Sequence, residues 1–255
     1  MLLTILSASI VTHFNLVLAK ILSQAVFLGF FRNPAKETVL TPWRVVNMHL
    51  GDTIGGYNFW KEGYPMDPRE GVLEVPRLIE QGETTSDLFL KNDLKVLEMN
   101  SKSGLYPLYV AYSIYRMSLP KEEKDMTLEE AQAHWNKALE EHLFVLCQTK
   151  MAVAITKRTL VGYTNSPVNA VYFSKLLERM QDQKKLGKKI TNPATWGKEG
   201  ERVKFDAIVG NPPYQSLTNG GNETGTAARQ ADDYEISAIF VIKYVLLNTF
   251  IDRIC

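Results

Sequence analysis

At 255 residues, 45% of them hydrophobic and 22% charged, the chain holds enough apolar material for one large domain or two small ones. A formal net charge of +1 excludes a global basic footprint, so any contact with nucleic acid must rest on locally concentrated charge. Only Cys147 and Cys255 occur, far apart and without Cys/His spacing, which argues against a disulfide framework or a structural zinc and fits a reducing, cytoplasmic setting.

Residues Met1 to Phe31 are strongly apolar. No positive residue precedes that run, and His13, Asn15, Lys20 and Gln24 interrupt it before the ~20 apolar residues that a membrane span needs. It reads as an N-terminal helical segment over residues 1–40, with no membrane partner. Asn33-Pro34 breaks the chain, and Thr41-Pro42 reads as an N-cap with proline at the first helical position of a helix ending at Gly51. His49, His134 and His142 read as packed or solvated histidines.

Residues 57–92 are turn-rich and polar and read as an inserted long loop with short elements. A strand then runs from Leu94 to Met99, a polar turn covers Asn100 to Gly104, and a helix over Leu105 to Met117 carries Leu108, Ala111, Tyr112 and Tyr115 at helical spacing. In such a unit the acidic Glu98 and the helix-opening N–H groups stand where a cofactor's ammonium and carboxylate could be held. Thr127 and Glu130 form a capping box. A second strand is expected over Leu143 to Cys147, and a helix over Thr149 to Leu160 carrying the basic pair Lys157-Arg158. Val168 to Gln181 reads as an amphipathic helix and Gln183 to Lys189 as a basic surface loop, within a second insertion over 183–202. Tyr234 to Cys255 suggests a further helix.

The organising stretch is Phe205-Asp-Ala-Ile-Val-Gly-Asn-Pro-Pro-Tyr-Gln215. Its β-formers read as a buried strand, and Pro212 and Pro213 stop it in a rigid turn because proline fixes φ and supplies no N–H. The Asn211 amide and the Pro212 carbonyl are then preset acceptors beside the flat ring of Tyr214, a combination suited to a planar substrate with an exocyclic amino group. Strands alternating with helices imply an α/β fold with a mostly parallel sheet and functional loops at the strands' C-terminal ends.

Asn211-Pro212-Pro213-Tyr214 after such a strand resembles the fourth motif of the adenine-specific, amino-group DNA methyltransferases, closest to the modification modules of type II restriction-modification enzymes. The resemblance runs from about Thr41 to Gln215. Thr41-Pro42-Trp43 falls where that family's tenth motif borders the methionine part of S-adenosylmethionine, and Glu98 through Gly104 falls at its first motif. Lys102 stands where the family has its first glycine, a residue that would be strained if the position required φ > 0. Gln148 stands in the region of the acidic residue that commonly holds the ribose hydroxyls.

The resemblance implies a Rossmann-like S-adenosylmethionine-dependent methyltransferase fold, incomplete at the C-terminus, over residues 41–255, with the target-recognition domain absent. It implies catalysis by Asn211, Pro212 and Tyr214 on an adenine flipped from duplex DNA. The cofactor S-adenosylmethionine would be bound by Thr41, Pro42, Glu98, Asn100, Gly104 and Gln148, without metal. The remaining methyltransferase, target-recognition or endonuclease modules would then reside on another chain. Two other readings stand beside it: a glutamine or RNA amino-methyltransferase, whose members resemble this chain at the same motif, and an inactive truncated product or interaction module. No GxSxG, Walker A or HExxH motif supports a hydrolase or ATPase.

Overall fold

We describe residues 40–120, 125–176 and 183–210 of the chain in a computed structural model. The first element, α1 (Trp43–Thr53), starts one residue later than the Thr41-Pro42 pattern predicts: Pro42 is itself the N-cap, extended at ψ 148°, and its carbonyl accepts from the N–H groups of Val45 and Val46. Proline's fixed φ suits either side of a helix boundary, so its position alone does not settle the cap. The helix also runs past Gly51. Glycine is needed there for packing, since a Cβ would lie 2.5 Å from Asn58 Nδ2.

Residues 57–92 are not a long loop. They form an antiparallel hairpin of β1 (Gly56–Trp60) and β2 (Val72–Ile79), with the one-turn helix α2 (Pro68–Gly71) between the strands and α3 (Glu83–Phe89) after them. β1 buries Phe59 and Trp60, while much of β2 faces solvent, so β2 carries no clear apolar alternation to read. Two buried asparagines join hairpin to helix. Asn47 accepts from the Phe59 N–H (2.7 Å) and donates to the Trp43 carbonyl (2.8 Å), and Asn58 donates to the Asn47 carbonyl (2.8 Å). With their hydrogen-bonding groups engaged, these residues stabilise the interface instead of costing desolvation.

The second sheet is parallel. β3 (Val96–Ser101) leads into α4 (Leu105–Ser118); α5 (Leu128–Lys137), extended by a π-helical turn over Ala138–His142, leads into β4 (Leu143–Cys147); α6 (Lys150–Val161) leads into β5 (Asn169–Tyr172). The Thr127–Glu130 capping box forms as read, and Thr149 caps α6 through the Ala152 N–H. His142 is buried, with Nδ1 at 2.7 Å from the Leu94 carbonyl, so its role is structural. After β5 come α7 (Gln183–Ile190), a 3₁₀ turn (Pro193–Trp196) and β6 (Ala207–Val209), which pairs with β3.

Strand order is β5-β4-β3-β6. Side chains of Val96, Val145, Ala170 and Val209 face a core built with α1, α4 and α6, while Leu97, Phe144, Leu146 and Phe205 face a second core with Leu186, Ile190 and Trp196. Helices thus cover both faces, which is why the central strands read as continuous apolar runs.

Three sequence expectations change here. Val168 to Gln181 does not begin as a helix: Asn169–Tyr172 is β5, because the open edge of β4 is satisfied by pairing and the Asn169 amide donates to the carbonyls of Glu140 and Leu143. Phe173 and Leu176, beyond β5, are buried. Conversely, Gln183 to Lys189 is helical because Leu186 and Ile190, four apart, reach the same core. The strand expected from Phe205 is shorter, confined to Ala207–Val209, with Val203 and Phe205 buried in the second core. The readings over Met1–Phe31 and Tyr234–Cys255 lie outside the described residues.

Candidate cofactor and substrate site

From β3 the chain winds to β4 and β5 on one side and returns to β6 on the other, so the connections diverge between β3 and β6. In open α/β sheets, ligands bind at such a switch point, outside the strands' carboxyl ends. Glu98 sits there, in register with Val145 on one side and Val209 on the other. Only 3% of it is exposed, and Oε2 has no hydrogen-bond partner among the described residues. Burial holds its pKa well above the ordinary carboxylate value, offset in part by a hydrogen bond from Ser101.

Beyond Glu98 the β3–β4 register slips, with Glu98 opposite Val145 but Ser101 opposite Cys147. The extra residue lets Ser101 rejoin the face of Glu98, where its hydroxyl meets Thr156 Oγ1 at 3.0 Å. Asn100 takes the positive φ this demands, 68°, a conformation asparagine tolerates. Its side chain, 4% exposed, leaves both Oδ1 and Nδ2 without partners among the described residues. Buried polar atoms are almost always paired, so three orphaned groups within three residues point to a ligand.

Lys102 carries no positive φ, so the strain that a left-handed lysine would carry there does not arise. The left-handed residues of this turn are Asn100 and Gly104. Gly104, at φ 79°, caps α4 and lies so close to α6 that a Cβ would stand 3.0 Å from Thr156 Cα and Thr159 Cβ. Thr159 donates to the Ser103 carbonyl at 2.6 Å, clamping the turn to α6. Sequence reading missed Ser101, Thr156 and Thr159. The signal was present as a buried stripe of Ala152, Thr156, Thr159 and Leu160 at helical spacing, with two hydroxyls in it. Cys147 closes this floor, and burial, reinforced by Glu98, pushes its thiol up to about 12, so it is inert.

The structure brings Glu98, Asn100 and Gly104 together, with half-buried Gln148 at the end of the adjacent β4. Thr41 and Pro42 lead into and cap the separate helix α1, which packs on α4 through Trp43 against Tyr109 and through His49 Nδ1, 2.8 Å from Tyr106 Oη.

Opposite Glu98, β6 ends at Val209, and a Cβ on Gly210 (φ 146°) would come 2.5 Å from the Met99 carbonyl oxygen. Asp206 anchors the other end of β6. Its carboxylate pairs with Lys91 and accepts from the Lys95 N–H at 2.8 Å, while its own N–H donates to the Lys95 carbonyl. Gly210→Ala is therefore expected to force β6 away from β3 or strain the backbone by about 1–3 kcal/mol, lowering Tm by several degrees in thermal denaturation; an unchanged Tm would show that the approach is slack.

Asn211, Pro212 and Tyr214 lie outside the described residues. They follow β6 directly in sequence. Residues 141–253 match the family model described as Eco57I restriction-modification methylase. This stretch is similar to restriction-modification methylases, which supports a methyltransferase. It takes in β4 through β6 and the Asn211–Tyr214 motif, whereas Glu98 to Gly104 precede it. No curated protein and no solved structure gives a match.

Proposed function

We propose that the chain is the cofactor-binding and catalytic part of a Rossmann-like, S-adenosylmethionine-dependent methyltransferase acting on the exocyclic amino group of adenine in DNA. The observation that carries this reading is the set of buried polar atoms, Glu98 Oε2 and the Asn100 Oδ1 and Nδ2, that have no partner among the described residues at the end of β3, beside the strand that leads into Asn211. The residues fit the cofactor. A carboxyl buried between Val145 and Val209 suits an ammonium, whose positive charge restores the ionised form. The Asn100 amide can both donate and accept, and the left-handed turn at Gly104 leaves the opening N–H groups of α4 able to receive a carboxylate. Gln148, just past the end of β4, would be the residue to hydrogen-bond a ribose hydroxyl.

When bound, S-adenosylmethionine supplies a methyl activated by its own sulfonium charge. The protein's task is alignment and electrostatics. Adenine's amino nitrogen is a weak nucleophile because its lone pair is delocalised into the ring. Asn211 Oδ1 and the Pro212 carbonyl accept its two hydrogens, favour a tetrahedral nitrogen and stabilise the positive charge that develops on it. Tyr214 stacks on the base, which must leave the duplex to reach these groups.

The test is to incubate the purified chain with methyl-labelled cofactor and, separately, duplex DNA, RNA and protein. Label is expected on adenine of DNA. Label in RNA, in glutamine residues, or in no acceptor overturns the reading.

A further inference from the structure

Residues 183–204 carry seven basic and two acidic residues, an excess of five positive charges in a chain whose net charge is +1. The remainder therefore carries an excess of four negative charges, and the positive charge is concentrated in the β5-to-β6 crossover. Folding of α7 sorts it. Leu186, Gly187 and Ile190 turn inward, and Lys184, Lys185, Lys188 and Lys189 lie exposed on the opposite side. Arg202 and Lys204, also exposed, continue the basic surface beyond the 3₁₀ turn. The acidic residues within the segment are Glu199 and Glu201, both past the helix.

This surface is joined to the edge of the sheet that carries the site. Lys189 Nζ lies 5.0 Å from the ring centre of Phe173, and the Phe173 N–H donates to the carbonyl of Cys147 at the C-terminal end of β4. The helix lies across the sheet from α4 and α6, so it leaves the Glu98 side unobstructed. Arg158 of the other basic pair donates to the Gly162 carbonyl and is stacked over Tyr163.

We propose that the exposed lysine face of α7 is a docking surface for the phosphate backbone of duplex DNA. The inference rests on the DNA-methyltransferase reading and adds to it the surface that holds the substrate. A row of lysines spaced along one helix face, on a chain otherwise negative, is complementary to a regular array of phosphates, and such interactions position a duplex without reading its sequence.

The experiment measures binding of a short duplex to the full chain across a salt series, comparing wild type, Lys184→Ala/Lys188→Ala, and the charge-matched Lys137→Ala/Lys157→Ala on the opposite face. The α7 variant is expected to bind more weakly and to show a log K against log salt slope shallower by roughly 1.8, about 0.9 for each phosphate that the variant leaves unneutralised, with the control keeping the wild-type slope. An unchanged slope in the α7 variant, or an equal loss in the control, overturns the proposal. So does lysine-dependent binding to phosphatidylserine vesicles with DNA binding unaltered. If wild type methylates DNA while the α7 slope is unchanged, this surface alone is refuted; if label goes to RNA or protein, the functional reading fails first.

Discussion

Asn211→Ala should lower methyl transfer to adenine by about 10²–10³-fold, the loss expected when one preorganised partner of a developing charge is removed. Affinity for S-adenosylmethionine should stay unchanged, because the buried groups at the end of β3 belong to another strand. Alanine leaves Pro212 and Pro213 in place and removes only the amide, so on the proposed reading the adenine nitrogen would lose one acceptor while the base could still stack. Single-turnover methylation paired with calorimetry separates these effects. Near-normal transfer would remove Asn211 from the chemistry, and a parallel loss of cofactor binding would make its role structural.

Glu98→Gln is expected to make the ligand-free protein more stable and the cofactor weaker. In the folded chain the carboxyl titrates well above its ordinary value because apolar β4 and β6 neighbours flank it. The folded state therefore holds a proton that the unfolded state releases near about pH 4.3. Stability is greatest below that pH and declines as pH rises from it through the folded-state pKa. Glutamine keeps the shape without the charge, so its Tm at pH 8 should exceed wild type by about 3 °C, the scale of ~1 kcal/mol, with the two converging near pH 4. Calorimetry should show affinity for S-adenosylmethionine falling by about 10–100-fold, the contribution of a charge-assisted hydrogen bond to an ammonium. Identical pH profiles, or unchanged affinity, would show that Glu98 does not await a cation.

The strand, turn and helix from Val96 to Ser118, the capping box at Thr127, the strand Leu143–Cys147 and the cap at Thr149 were legible because each is set by neighbours within a few residues. Glu98, Asn100 and Gly104 were legible as candidates for the same reason. The β5 strand, α7 and the β1–β2 hairpin were not. Val168 to Phe173 fits either period until the β4 edge is there to pair with, and a lysine-rich stretch becomes a helix only when Leu186 and Ile190 find Trp196 and Phe144.

Sequence by itself determined the chemical inventory: an acid before a polar turn, glycine at the mouth of a helix, and Asn-Pro-Pro-Tyr after a strand. Only the tertiary structure decided that β3 and β6 are neighbours, that Asn100 takes the left-handed position in place of Lys102, and that Glu98 and Asn100 keep buried polar atoms unpaired among the described residues. The reason is physical. Local patterns specify φ, ψ and caps over a few residues, whereas register, burial and desolvation arise between strands that lie more than a hundred residues apart, as Glu98 and Val209 do.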